Sequence, residues 1–308
     1  MKELLSNAVA WIDLISPTAS ELDILKNELK IPEKIVEQIA RPSDNNKMEF
    51  YSDFFYTILH FPIWDEKTKN SQPTELDIVV FKNYIITVRY SKALYPLNEL
   101  IANCENCTKE DLGNIIGDST YETFYNIVQA LLGFSTRQLQ HIEEKILAIE
   151  NEVFHYQSND NKKIIFEILN AKRDLLNFRR IFLTLENAII GIDYKGEKFW
   201  GKEAVPHMLD LISDCNKVKN SIEHHTSFLN SVEETMYTLI NNNINTLTKI
   251  YTIISFIAWP TLLIISWYQT NTTSLPFVGV HFDSYIVFGI ALIPSTLLYW
   301  YLKRNKLI

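Results

Sequence analysis

Two long apolar runs close the chain, Ile250–Tyr268 and Tyr285–Leu302, and neither contains a charged residue. Each is roughly 18–19 residues, or about 28 Å as an α-helix. That is the thickness of a bilayer's hydrocarbon core, so both are expected to span a membrane. A short polar loop joins them, and a basic tail, Lys303-Arg304-Asn305-Lys306, follows the second.

Upstream the pattern is that of a folded, charged body. Val9–Leu14 alternates like a strand. Ser16-Pro17-Thr18 then opens a helix over Ala19–Leu29, with Glu21 placed three residues after Thr18 for a capping box. Pro32 suits the first turn of a second helix ending at Ile39. Phe54–Phe61, Glu75–Phe81 and Tyr84–Arg89 are rich in aromatic and β-branched residues and read as strands. Lys82-Asn83 supplies a tight turn between the last two. From Tyr121 the period becomes helical. Tyr121–Tyr156 and Lys162–Ile190 read as long helices, and Glu203–Tyr268 as a single helix on the order of 100 Å. Apolar residues recur along it at three- and four-residue steps (Val205, Leu209, Ile212; Leu229, Val232, Met236, Leu239), so partner helices must cover that stripe. The expected organisation is α+β: a mixed α/β domain over 1–120, a long-helix bundle and stalk over 121–249, and a two-helix membrane domain over 250–308.

Composition narrows the function. The 308-residue chain has a net charge of −8, which argues against nucleic acid as a partner. No signal-peptide pattern opens it, so the body is expected to stay in the cytoplasm. Lys249, Lys303, Arg304 and Lys306 flank the spans on one side, and the loop 269–284 has no Lys or Arg. The positive-inside rule then puts both termini in the cytoplasm, as a two-pass protein of the plasma (inner) membrane. Cys104 and Cys107 form a lone CxxC and Cys215 stands alone, a weak pattern for zinc. His224 and His225 are adjacent on a helix and point about 100° apart, so they cannot share a metal as an i, i+4 pair would and read as surface histidines. There is no P-loop, nucleophile triad or paired catalytic motif, and no enzyme activity is expected.

The first span and its approach carry a polar-tinged stripe: Asn245, Thr248, Thr252, Ser255, Trp259, Leu262 and Ser266, with Tyr251 near the same face. The steps of three and four residues put these positions on one side of a helix. Polar groups facing lipid are costly, so such a face turns to protein or to water. Helix packing accounts for it, since Ser and Thr are common at membrane-helix contacts. A water-lined path does so too, if several copies converge on an axis.

The stripe is embedded in a sequence that resembles the CorA-like metal ion transporters. Asn242-Asn243-Ile244-Asn245 resembles the family's Asn-rich approach to the first span. Thr252 and Pro260 fall where the family has Thr and Pro. Tyr268 and Asn271 keep the spacing of its Tyr-Gly-Met-Asn, and Leu275-Pro276 that of its Met-Pro, without a gap. Trp11-Ile12-Asp13-Leu14, Glu75-Leu76-Asp77-Ile78, Ile86-Thr87-Val88-Arg89 and Tyr301-Leu302-Lys303-Arg304 resemble further parts of it in order. Gln269-Thr270 replaces Gly-Met, a departure that bears on the turn at the pore mouth and on which ion is selected.

The resemblance implies a funnel-shaped homopentamer whose first spans line the pore. Tyr268, Gln269, Thr270 and Asn271 would form its mouth, with Asn245, Thr248, Tyr251, Thr252, Ser255, Trp259, Leu262 and Ser266 along the path. Pro260 and Pro276 would be structural. A ring of Asn271 carboxamides could accept hydrogen bonds from a cation's bound waters, holding a hydrated divalent ion without trapping it. Trp259 and Leu262 could form an apolar constriction that gates by dewetting. The implied cargo is Mg²⁺, with Co²⁺ and Ni²⁺ as further candidates, and regulatory carboxylates are implied without assignable positions. No cofactor is expected beyond the transported and regulatory cation. The expected partners are further copies of the chain, the lipid bilayer and divalent cations. A membrane potential of about 100 mV supplies roughly 4.6 kcal/mol per divalent ion, so ATP is not required. A zinc transporter of the same superfamily and a non-conducting metal sensor or scaffold are the alternatives.

Overall fold

The computed structural model describes residues 2–5, 9–43, 45–106, 109–155, 161–270, 275–277, 279 and 281–305. They form two compact units. One holds Met1–His155 with Lys162–Glu233, and the other carries Glu234–Ile308.

The first unit is built on a six-stranded sheet: β1 (Lys2–Leu5), β2 (Ala10–Ile15), β3 (Lys47–Phe50), β4 (Phe54–Asp65), β5 (Asn70–Phe81) and β6 (Tyr84–Arg89), in the order β1-β2-β6-β5-β4-β3. Only β2 and β6 run parallel; the crossover between them holds the helices α1 (Ala19–Asn27) and α2 (Glu33–Ile39) and the β3–β5 meander. Thr18 caps α1 through a capping box with Glu21, as its spacing predicts, while Pro32 sits at the N-cap of α2 rather than inside it. Both helices lie on one face of the sheet. Leu25, Ile35 and Ile39 pack there with Ile12, Leu14, Tyr56, Val79, Ile86 and Val88.

The opposite face is covered by long helices. After α3 (Tyr95–Asn106) and α4 (Lys109–Ile116) come α5 (Thr120–Phe154) and α6 (Asn161–Trp200). Phe55 of β4 meets Phe124 of α5 and both Phe199 and Trp200 of α6 edge to face. Gly201, at φ 94°, breaks α6 in a conformation that favours glycine, and a 3-10 turn (Lys202–Ala204) leads into α7 (Val205–Tyr268). The last helix is α8 (Asp283–Arg304).

Several boundaries differ from the sequence expectation. β4 and β5 are each longer, because Pro62 and Pro73 face each other across the ladder. A facing pair that exchanges no hydrogen bonds needs no N–H from either residue, so two prolines there do not end the strands. α6 continues ten residues past Ile190 to Trp200 through Gly191 and Gly196. There is reason for both glycines: a Cβ on Gly191 would lie 2.8 Å from the Met48 methyl, and one on Gly196 would press on the Trp200 ring at 3.3 Å. The strands β1 and β3 and the helices α3 and α4 were not anticipated.

Candidate ion path on the penultimate helix

In the second unit α7 and α8 form a hairpin. Both helices are long and apolar enough to cross a membrane, and of their most apolar 18-residue stretches 0% and 11% is buried against the described residues. The core helix of a soluble protein would be covered by its own chain. These are not, so their apolar side chains require lipid or further subunits.

One polar contact locks the hairpin. The Thr261 hydroxyl donates to the Ala291 carbonyl at 3.0 Å and lies 2.6 Å from Ser295 Oγ. Ala291 and Ser295 are both buried, which is what two small residues at a membrane-helix contact permit. The half-buried residues of this stretch, Ile253, Ile257, Pro260, Thr261, Ile264, Ile265 and Tyr268, fall on the same side of α7. At about 100° per residue, the stripe of the sequence analysis lies roughly 180° away. Asn245, Thr248, Thr252, Ser255, Trp259, Leu262 and Ser266 are all exposed, as is Tyr251 toward one edge of that face. Packing against α8 therefore does not account for the stripe.

Two hydroxyls of the stripe are satisfied locally. Thr252 Oγ1 donates to the Thr248 carbonyl at 2.8 Å and Ser255 Oγ to the Tyr251 carbonyl at 2.9 Å. Each oxygen spends its one proton on the backbone and keeps its lone pairs for an outside donor. Coordinated water on a cation is such a donor.

At the upper end the replaced pair takes a defined role. The Gln269 amide donates to the carbonyls of Ile265 and Ser266, at 3.1 and 3.2 Å. The Thr270 amide and hydroxyl both donate to the Trp267 carbonyl, at 3.1 and 2.6 Å. Together they close the last turn of α7, where carbonyls otherwise lack partners. Gln269 is not among the residues with positive φ, so α7 is closed here without a left-handed residue at that position. Asn271 lies outside the described residues, as does Lys306. Pro276 is exposed in the loop; the left-handed residues there are Phe277, Gly279 and Phe282. Lys303 and Arg304 occupy the last turn of α8, with Arg304 over the Trp300 ring at 5.3 Å.

Among the described residues no group of three or more His, Cys, Asp or Glu side chains is arranged to hold a metal within one chain. The histidine pair needs a correction. His224 is exposed, but His225 is buried, 3.2 Å from Ser221 Oγ and 3.9 Å from Glu143 Oε2. Burial pushes its pKa down, toward the neutral ring. Cys104 and Cys215 are buried thiols; burial raises the Cys215 pKa to about 12, which leaves it inert. Cys107 lies outside the described residues. Asp13 and Arg89, in segments that resemble the family's, are structural in this chain. The Arg89 guanidinium grips Asp13 at 2.8 and 3.2 Å, and Thr87 donates to the other carboxylate oxygen at 2.7 Å.

The family profile described as CorA-like Mg²⁺ transporter protein matches residues 6–304, nearly the whole chain. The chain belongs to that family. It is similar to the cobalt/magnesium transport protein CorA of Thermotoga maritima, at 18% identity over 88% of this chain and 75% of that one. It is 24% identical to the magnesium transport protein CorA of Campylobacter jejuni, over 94% and 88% of the two chains. The complete structure of the CorA magnesium transporter from Methanocaldococcus jannaschii superposes with a TM-score of 0.79 at 19% identity, covering 98% of this chain and 92% of that one. As a CorA-family member the protein is a membrane ion transporter, not an enzyme, with a cytoplasmic α+β domain and two C-terminal spans at the inner membrane.

Proposed function

We propose that this protein conducts hydrated divalent cations, Mg²⁺ first and Co²⁺ with it, down the membrane potential through a homopentameric pore. The observation that carries this reading is the orientation of the first span. Its polar stripe lies opposite the face packed on α8 and is exposed among the described residues. Two helices cannot enclose water, so a path along that stripe needs other copies of α7. Asn245, Thr248, Thr252, Ser255 and Ser266 then offer oxygen lone pairs to the ion's waters. Mg²⁺ gives up its inner water reluctantly, so neutral acceptors that bind through water suit it better than a tight cage. Trp259 and Leu262 narrow the path, and Asn271 of each copy rings its mouth.

Uptake into proteoliposomes, comparing Mg²⁺, Co²⁺ and Zn²⁺ for the natural chain and Asn271→Ala, tests the proposal. Mg²⁺ flux that cobalt hexaammine blocks and that Asn271→Ala abolishes or sharply reduces is the expected result. Zn²⁺ flux without Mg²⁺ flux would move the protein to the zinc-transporting branch. No flux of any divalent ion would make it a sensor or scaffold, and unchanged flux in Asn271→Ala would remove Asn271 from the filter.

A further inference from the structure

On the helix-covered face of the sheet, β5 carries two carboxyl groups two residues apart, Glu75 and Asp77, both buried. One oxygen of each is well supplied. Glu75 Oε2 accepts from the Ser43 amide at 2.6 Å. Asp77 Oδ2 accepts from the Tyr56 hydroxyl at 2.9 Å and from the Tyr90 hydroxyl at 3.2 Å. The other two oxygens, Glu75 Oε1 and Asp77 Oδ1, are buried and have no donor. Two carboxylates beside each other, each with a bare buried oxygen, would be costly twice over, by repulsion and by lost hydration. One proton shared by the two side chains, which hydrogen-bond each other, relieves both costs. A cavity of about 240 Å³, lined by Ser43, His60, Glu75, Tyr90 and Ser91, borders the Glu75 side of the pair and gives that proton a route to solvent.

We infer that Glu75 and Asp77 form a proton-binding site in the cytoplasmic domain, and that its occupancy decides how firmly the end of α2 is held. The coupling runs through Tyr90. Its hydroxyl has one proton and two acceptors, the Ile39 carbonyl that ends α2, at 2.8 Å, and Asp77 Oδ2. With a proton shared between the acids, Asp77 Oδ2 is a neutral carbonyl oxygen satisfied by Tyr56, and Tyr90 donates to Ile39. When that proton leaves Asp77 for water, the full carboxylate draws the Tyr90 proton to itself, because hydrogen bonds to charged acceptors are the stronger ones. The Ile39 carbonyl then loses its anchor.

The surroundings leave the acids to set the balance. From β4 come Tyr56 and His60, whose Nε2 donates to the Ser43 carbonyl at 2.8 Å and lies 3.7 Å from Glu75 Oε2. Tyr90, just past β6, adds its phenol. α2 packs Val36 and Ile39 onto this face of the sheet; its charged Glu33, Lys34 and Glu37 are exposed. Arg89 is held on the other face by Asp13. Burial, then the hydrogen bond and the negative charge of Glu75, raise the Asp77 pKa to about 8, against the smaller opposing effect of the two tyrosine hydroxyls. The same charges and burial hold Tyr56 and Tyr90 above the ordinary phenol range, so neither competes as an acid.

Hydrogen exchange of the full chain in lipid vesicles, corrected for the intrinsic pH dependence of exchange, tests this. Protection of the amides at the end of α2 should fall roughly tenfold between about pH 7 and about pH 9. In Asp77→Asn, whose carboxamide keeps a donor for Glu75 at every pH, protection should stay constant within about twofold. Infrared spectra of protein labelled at its aspartates should show a protonated carboxyl at neutral pH that disappears with a midpoint near 8. That measurement needs no variant and stands if Asp77→Asn fails to fold. Tyr90→Phe should keep the infrared titration while the α2 end loses its pH response. Flat protection in the natural chain, no protonated carboxyl at neutral pH, or a natural pH response in Tyr90→Phe would each overturn the inference.

Discussion

The two compact units treat their polar groups in opposite ways. In the sheet domain two buried carboxylates find partners in the same chain, Asp13 with Arg89 and Thr87, and Asp174 with Ser71 and Lys145. In the hairpin only one side of α7 is answered, by Ala291 and Ser295, while the stripe on the other side points outward. The first unit answers these charges within one chain. The second is complete only in company, because a polar face at the depth of a membrane needs protein or water beside it. The contrast separates residues whose loss unfolds the protein from residues whose loss stops transport.

The most severe test lies at the mouth. Asn271→Ala should bring Mg²⁺ flux into vesicles close to background, and the thermal transition of the sheet domain should be unchanged. Arg89→Ala should do the reverse. It strands Asp13 as a lone buried charge, which costs about 3–5 kcal/mol. The unfolding midpoint should drop accordingly in a denaturant titration, while flux per folded oligomer is retained. A variant that lost both together would erase the distinction between the units. Thr18→Ala comes next, at about 1 kcal/mol, because it removes the acceptor for the Glu21 amide and half of the capping box. A small fall in the sheet domain's midpoint with flux intact is the expected result.

How much of this was legible beforehand follows from the range of each interaction. The membrane hairpin, the capping box at Thr18 and the one-sidedness of Asn245–Ser266 are local patterns, readable from spacing alone. The full length of β4 and β5 was not, because Pro62 and Pro73 are harmless only when they face each other, and register is a property of two segments. β1 and β3 are four-residue edge strands that exist by pairing with β2 and β4, and carry too little pattern of their own. His225 reads as a surface residue beside His224 until α5 covers it with Glu143. At Gln269 the sequence shows the loss of a glycine, and the coordinates add only that the amides of Gln269 and Thr270 finish α7 without a positive φ at either residue. Of the proposed path, the orientation of the stripe follows from the helical period, and the choice of α8's partner face needed coordinates.

The finest test compares two threonines on α7 that differ in which way they face. Thr261 bridges the helices, so Thr261→Val removes a hydrogen bond to Ala291 and Ser295 inside the hairpin. Interhelical hydrogen bonds of this kind average about 0.6 kcal/mol in membranes, since the separated helices find substitutes. The midpoint of detergent-induced unfolding should fall by that small amount, with Mg²⁺ flux per oligomer unchanged. Thr252 donates only to the Thr248 carbonyl one turn back, a bond that stabilises nothing between helices. Thr252→Val keeps the shape, removes one ring of lone pairs from the path and should leave the hairpin as stable as before. Its effect should appear in transport alone, as a flux reduction of a few-fold, because one acceptor ring among several is lost. If Thr252→Val weakened the hairpin and left flux untouched, the stripe would be a packing surface and the water path would have to lie elsewhere.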